Sequence, residues 1–168
     1  MAVSRSVAAL CGSASVALLA LTGTASAEDK FAWSASLTGT SDYVFRGVSQ
    51  TNNDPTIQGS LGVTYGMFYA GWWASGLDWQ PLDSKAQVEM DWYGGIKPTW
   101  GPASFDFGVI YYTYPGSMDV APFGSTSIVE LKAGVSGEIM KNLTAGVTYY
   151  YAPDVNDFDY GVVEASLS

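Results

Sequence analysis

The sequence contains no histidine and a single cysteine, Cys11. Without histidine, the usual general base and the commonest metal ligand are missing. A Ser-His-Asp hydrolase arrangement, such as a barrel-borne lipid hydrolase would need, has no candidate among these residues. Basic residues are scarce as well, with seven Lys and Arg against sixteen Asp and Glu and a net charge of −9. That balance argues against nucleic acid as a partner. After the first turn of sequence there is only one long apolar run, Val7 to Leu21, and no later segment shows a helical period.

The apolar run reads as an export signal. Arg5 precedes it, small residues interrupt it, and it ends in Ala25-Ser26-Ala27 before the acidic Glu28-Asp29. Cleavage is expected after Ala27, with residues 1–27 as signal peptide and 28–168 as the domain. Cys11 leaves with the signal, because Leu10 stands where a lipoprotein cysteine needs a small neighbour. No cysteine then remains for a disulfide or a thiolate-bound metal, and no cofactor is expected. Loss of Arg5 makes the remaining chain more acidic by one charge.

What the chain has in abundance is glycine, tyrosine and tryptophan in blocks that alternate with period two. Thr56 to Tyr65 is the clearest: Ile57, Gly59, Leu61, Val63 and Tyr65 share one face, while Thr56, Gln58, Ser60, Gly62 and Thr64 share the other. Val88 to Lys97, Ile128 to Gly137 and Leu143 to Tyr151 repeat the pattern. Phe31 to Phe45, Ala103 to Tyr114 and Tyr160 to Ser168 follow it less regularly, and Phe68 to Leu77 is aromatic on both faces. Blocks of about ten residues suit tilted membrane strands. The expected fold is all-β, an antiparallel up-and-down transmembrane β-barrel with about eight strands in view.

Two features favour a membrane barrel over a secreted sandwich. The polar face is rich in Ser, Thr and Gly. The apolar face carries Tyr43, Phe45, Tyr65, Trp92, Phe105, Tyr111 and Tyr149 towards the strand ends, where an interfacial girdle lies. Connections alternate between short (Gly66-Met67, Pro98 to Pro102, Met140 to Asn142) and long (Gly47 to Pro55, Asp78 to Gln87, Pro115 to Ser127, Ala152 to Asp159). Short periplasmic turns and long outer loops orient the strands, with the N-terminus in the periplasm. Outer-membrane lipids and the outer-membrane assembly machinery are the implied partners, at the cell outer membrane.

Six residues are candidates for lining a pore: Asp42, Arg46, Glu89, Asp91, Glu130 and Lys132. Glu89 and Asp91 share a strand face, as a paired-carboxylate catalyst or hard-metal site would, but an inward strand of a barrel produces the same spacing without chemistry. Asp42 and Arg46, four apart, suggest an ion pair or a constriction charge. Asp106, Glu164 and Lys97 extend the inward set to six acids and three bases, which predicts a mild cation preference. Thr51 to Asp54 lacks the ligand spacing of a calcium loop and reads as a turn. Trp72 and Trp73, being adjacent, point to opposite faces, so at least one meets lipid.

The stretch Thr40-Ser41-Asp42-Tyr43-Val44-Phe45-Arg46-Gly47-Val48-Ser49-Gln50-Thr51 resembles the opening signature of the TorF-type porin family. Phe68 to Ser75 and Asp106 to Gly116 resemble it too. The resemblance implies a proteobacterial outer-membrane barrel, named a porin by inference, and it brings no substrate or catalytic residue. Gly76 departs from the Asn expected before Leu77-Asp78. Family members continue for several strands and end on an aromatic residue, whereas this chain stops at Ser168 in strand pattern, so a C-terminally truncated sequence is expected. Passive diffusion of small hydrophilic solutes is the leading function; a non-conducting structural or adhesive barrel is the alternative, because eight strands enclose an interior that side chains nearly fill.

Overall fold

The computed structural model describes residues 15–24, 31–79, 86–117, 127–155 and 158–168. Among them there is no helix. Twelve strands run in chain order: β1 (Ser15–Thr24), β2 (Phe31–Thr40), β3 (Val44–Phe45), β4 (Val48–Ser49), β5 (Thr56–Tyr65), β6 (Phe68–Gly76), β7 (Val88–Ile96), β8 (Thr99–Trp100), β9 (Ala103–Thr113), β10 (Ile128–Met140), β11 (Leu143–Val155) and β12 (Phe158–Leu167).

The main sheet has the order β1-β2-β5-β6-β7-β9-β10-β11-β12, with β8 beside β9 and a separate β3-β4 pair. Every ladder is antiparallel, and each long strand pairs with the next long strand in the chain, as an up-and-down meander requires. The expected closure into a barrel is not present in the strand pairing: β1 and β12 stand at the two edges of an open sheet. Part of the expected export signal, Ser15–Thr24, lies along β2, in register from Ser15 opposite Thr40 to Thr24 opposite Ala32. Residues 1–14 and 25–27 of that segment lie outside the described residues.

The eight expected blocks map onto the eight long strands from β2 to β12, and β5 has the expected bounds. Two boundaries differ for identifiable reasons. The first block does not run to Phe45. β2 stops at Thr40, where the Thr40 hydroxyl donates to the Asp42 carbonyl at 2.8 Å, and the chain folds back. The expected long connection from Ala152 to Asp159 is mostly strand, because a bulge between Ala152 and Val155 lets β11 and β12 pair as far as Val155 and Phe158.

Turn chemistry matches the two-residue links. Gly66 adopts φ +57° between β5 and β6, and Asn142 adopts φ +64° between β10 and β11. Both residue types tolerate the left-handed region that such hairpins need.

Polarity is inverted relative to a water-soluble domain. Large apolar side chains along one face are exposed, among them Leu61 (56%), Trp92 (55%), Val163 and Leu167. The most buried polar side chains are Glu130, Glu89, Ser75, Thr51, Thr40 and Asp91. β6 resolves the face that its aromatics left open: Tyr69, Trp73 and Ser75 belong to the polar face, since the Tyr69 hydroxyl reaches Asp106 and Trp73 packs on Tyr43. Trp72 lies on the other face beside Trp92.

Candidate functional site

The polar face is crossed by a small hairpin that the strand pattern does not announce. Tyr43 to Thr51 turns back through β3 and β4, with Val44 opposite Ser49 and Phe45 opposite Val48. Its two-residue turn is Arg46-Gly47, at φ +47° and +85°. Positive φ at both central residues is the type I′ arrangement, which matches the twist of the flanking strands. Its base is fixed by hydrogen bonds. Ser49 and Thr51 hydroxyls both donate to Asp42 Oδ1, at 2.6 and 2.8 Å. The Tyr43 amide donates to the Thr51 hydroxyl, and the Gln50 amide to the Tyr43 carbonyl.

At the tip, Arg46 reaches across the polar face. Its Nη1 and Nη2 donate to the two oxygens of Glu130 at 2.8 and 3.1 Å, and Nε lies 3.4 Å from Glu164 Oε1. The guanidinium also sits over the rings of Phe45 and Tyr150. Glu130 is fully buried on β10 and accepts two further bonds, from the Tyr112 and Tyr160 hydroxyls at 2.8 and 3.2 Å. Burial alone would favour loss of the Arg46 proton; the hydrogen bond and charge of Glu130 outweigh it, so the guanidinium is held charged more firmly than usual. An isolated buried carboxylate would be costly, and this one is fully satisfied. The sheet therefore curls enough for one side chain beyond β2 to touch β10 and β12.

Beside the hairpin base lies an aromatic cluster with two carboxylates. Tyr43, Leu77 and Ala86 are buried together, packed by Phe45, Trp73, Trp79 and Tyr114. The Trp79 indole donates to the Gln50 side-chain oxygen at 2.9 Å. Glu89 and Asp91, adjacent on the polar face of β7, face this cluster, and the Tyr114 hydroxyl lies 3.4 Å from Glu89. Asp91 Oδ1 is buried without a donor among the described residues. Burial, then the negative charge of Glu89 and Asp91, raises the ionisation of Tyr43 and Tyr114 well above the ordinary tyrosine range.

A family model described as a bacterial protein of unknown function (Gcw_chp) matches residues 24–166. The chain belongs to that family. No curated protein and no solved structure matches it.

In this Gcw_chp protein a second charged cluster lies nearer the short turns. Lys132 Nζ and Lys97 Nζ approach Asp106 Oδ2 at 2.9 and 3.6 Å, and the Tyr69 hydroxyl donates to Asp106 Oδ1 at 2.8 Å. Lys97 Nζ and Lys132 Nζ also lie over the Tyr69 ring, at 4.9 and 5.2 Å from its centroid respectively. Charge is thus segregated along the polar face. Glu130 and Glu164 hold Arg46 at the hairpin tip and Glu89 and Asp91 lie by its base, so acids outnumber bases there among the described residues, whereas two lysines share one aspartate below.

The structure brings Arg46 and Glu130 together and adds Glu164 to them. Asp42 and Arg46 do not pair; Asp42 instead braces the hairpin. Lys132 belongs to the lower cluster. Sequence reasoning missed the tyrosines that complete the network (Tyr69, Tyr112, Tyr114 and Tyr160), since on an alternating strand a tyrosine is equally at home on either face. Among the described residues no group of three or more potential ligands is arranged for a metal ion. Thr51 to Asp54 is a turn, with Asn52 and Asn53 at positive φ.

Proposed function

We propose that this protein forms an outer-membrane β-barrel of the TorF-type porin kind, through which small hydrophilic solutes and ions diffuse passively with a mild preference for cations. The observation that carries this reading is the inverted polarity of the sheet. Leucine, valine and tryptophan meet the surroundings along one face, while the carboxylates Glu89, Asp91 and Glu130 and the ring of Tyr112 are buried on the other. In water that arrangement exposes a large apolar surface and buries charge, both unfavourable. In a bilayer, with the sheet closed, the same arrangement satisfies lipid outside and water inside. The strands of the main sheet from β2 onward, nine to thirteen residues apart from the short β8, are long enough to span the apolar layer. The acidic end of the polar face supports the cation preference, because a low-dielectric opening focuses the field of a few charges.

A non-conducting structural barrel is the second reading. It is favoured by the Tyr43–Thr51 hairpin lying across the polar face and by the pairing of most wall charges. The first test is location and orientation. The protein should fractionate with outer membranes, and cysteines at Asn53 should react with an impermeant thiol reagent on whole cells while those at Met67 or Asn142 should not. Recovery in the soluble periplasm would end the membrane reading; a reversed labelling pattern would invert the strand directions. Conductance of reconstituted protein then separates the two readings.

A further inference from the structure

The Arg46-Gly47 turn carries a cost that its surroundings must offset. The first position of a type I′ turn ordinarily holds Asn, Asp or Gly, because other side chains are strained at positive φ. Here it holds arginine at φ +47°. The residue placed there at the expense of backbone strain is the one that spans the polar face to Glu130 and Glu164. Strain of this kind persists only where other contacts hold it, and it gathers at switching and clamping positions.

The tethers of the hairpin divide into two groups. Its base is tied to the aromatic cluster through Gln50, whose carbonyl accepts from the Asp78 amide and whose side chain accepts from Trp79, both at 2.9 Å. Its tip is held to the far strands by the Arg46 guanidinium, with Phe45 resting edge-on against Tyr112. The other face of the tip is open, and Val48 is 62% exposed. This is a flap hinged at one end and latched at the other.

We infer that the Tyr43–Thr51 hairpin is a plug: hinged at Tyr43 and Gln50, it closes the barrel interior at the level of Glu130, and the Arg46–Glu130 pair is the latch that keeps it closed. The inference rests on the barrel reading and adds to it a closed state with a defined release. Breaking the latch frees the tip without disturbing the Asp42, Ser49 and Thr51 bonds that keep the hairpin folded, so the flap moves as a unit.

The test uses the full chain reconstituted in planar bilayers and in vesicles. Arg46→Asn removes the guanidinium and keeps a residue at home at positive φ, so it isolates the latch from the turn. Ion conductance of this variant and of Glu130→Gln should rise at least several-fold over the unsubstituted protein. The exchange R46E with E130R should return it towards the starting value, since the pair is restored in reverse. Arg46→Lys, with charge but no fork, should fall between and serves where the other variants assemble poorly. A short bis-methanethiosulfonate cross-linker, which joins the thiols of Phe45→Cys and Tyr112→Cys by two disulfides and releases two sulfinates, should close the path again in the Arg46→Asn background. If Arg46→Asn inserts into vesicles and conducts no more than the unsubstituted protein, the plug is wrong while the barrel stands. If none of the proteins inserts, the barrel reading fails and the plug falls with it.

Discussion

Arg46 and Glu130 stand 84 residues apart in the chain yet meet through two parallel hydrogen bonds, on a carboxylate with no solvent exposure. This pair ties the beginning of the sheet to its far half. A buried carboxylate that loses its cation keeps its desolvation cost, so removing one partner is worse than the net worth of the bond. Arg46→Asn leaves Glu130 buried without its cation and should destabilise the fold by about 3–5 kcal/mol, less about 1–2 kcal/mol returned by relief of the left-handed strain. Glu130→Ala removes the buried charge itself and leaves the partly exposed Arg46 beside Glu164, so its cost is the lost acceptor for Tyr112 and Tyr160, about 1–3 kcal/mol. Denaturant titrations of the two single variants and the double variant would measure the coupling. Additive effects would show that the pair contributes no energy beyond its separate residues.

The two faces of β5 predict opposite responses to the same substitution. Leu61 is exposed on the apolar face, and Ser60 lies on the polar face hydrogen-bonded to Ser36 at 2.6 Å. In a bilayer, Leu61→Arg places a charge in hydrocarbon and should cost about 2–4 kcal/mol if near the midplane. In water the same change at an exposed site should stay within about 0.5 kcal/mol. Val109→Arg on β9 should behave like Leu61→Arg. Stability measured in lipid vesicles would decide; a neutral result at both sites would be incompatible with lipid contact.

Alkaline pH should unlock the hairpin base. Tyr43 and Tyr114 are buried beside Glu89 and Asp91, and their hydroxyls hold their protons far above the ordinary value near 10. Below about pH 10 both states keep the proton, and stability is independent of these groups. Above it the unfolded chain ionises while the folded one does not, so stability falls as pH rises. Each tyrosine should contribute a slope of about 1.4 kcal/mol per pH unit until its folded value is reached. Tyr43→Phe and Tyr114→Phe should each flatten the fall. Tyrosinate absorbance appearing at ordinary pH in step with folded protein would contradict the burial.

Much of the sheet was legible because period-two alternation dictates which side chains share a face. β5, β7, β10 and β11 present the expected residues on each side, and the paired acids Glu89 and Asp91 share one face as predicted. The hairpin was not legible for a physical reason. Val44, Phe45 and Val48 have the same β-favouring character inside a two-residue strand as inside a ten-residue one, and alternation continues smoothly through Tyr43 and Phe45. Arg46-Gly47 is a weak turn signal beside Asn-Gly or Asp-Gly. Those two aromatics, expected in an outer girdle, therefore lie against the polar face, on Trp73 and Tyr112. The partner of Arg46 was equally hidden. Glu130 is distant in sequence, whereas Asp42 is near and on the same expected face, and only the fold-back at Thr40 removes Asp42 from reach.

Segregated charge leads to the last prediction, on ion selectivity. Glu130 is matched by Arg46, while Glu89 and Asp91 form no ion pair among the described residues. Replacing acids in the two places should therefore act differently. Glu89→Gln with Asp91→Asn removes unmatched carboxylates and keeps side-chain shape approximately, so cation preference should fall modestly with assembly intact. Glu130→Gln leaves the Arg46 guanidinium with the half-exposed Glu164 as its one carboxylate among the described residues. The group of Arg46, Glu130 and Glu164 then goes from one net negative charge to none, and cation preference should fall by less than in the double variant, which removes two carboxylates. Lumen positions of a barrel tune selectivity while lipid-facing ones govern stability, so both proteins should still insert. Reversal potentials in a salt gradient distinguish the cases. Equal shifts from the two proteins would mean that the ion-paired Glu130 weighs as much on the permeating ions as the two acids of β7 together, and unchanged potentials in both would place the ion path away from β7 and β10.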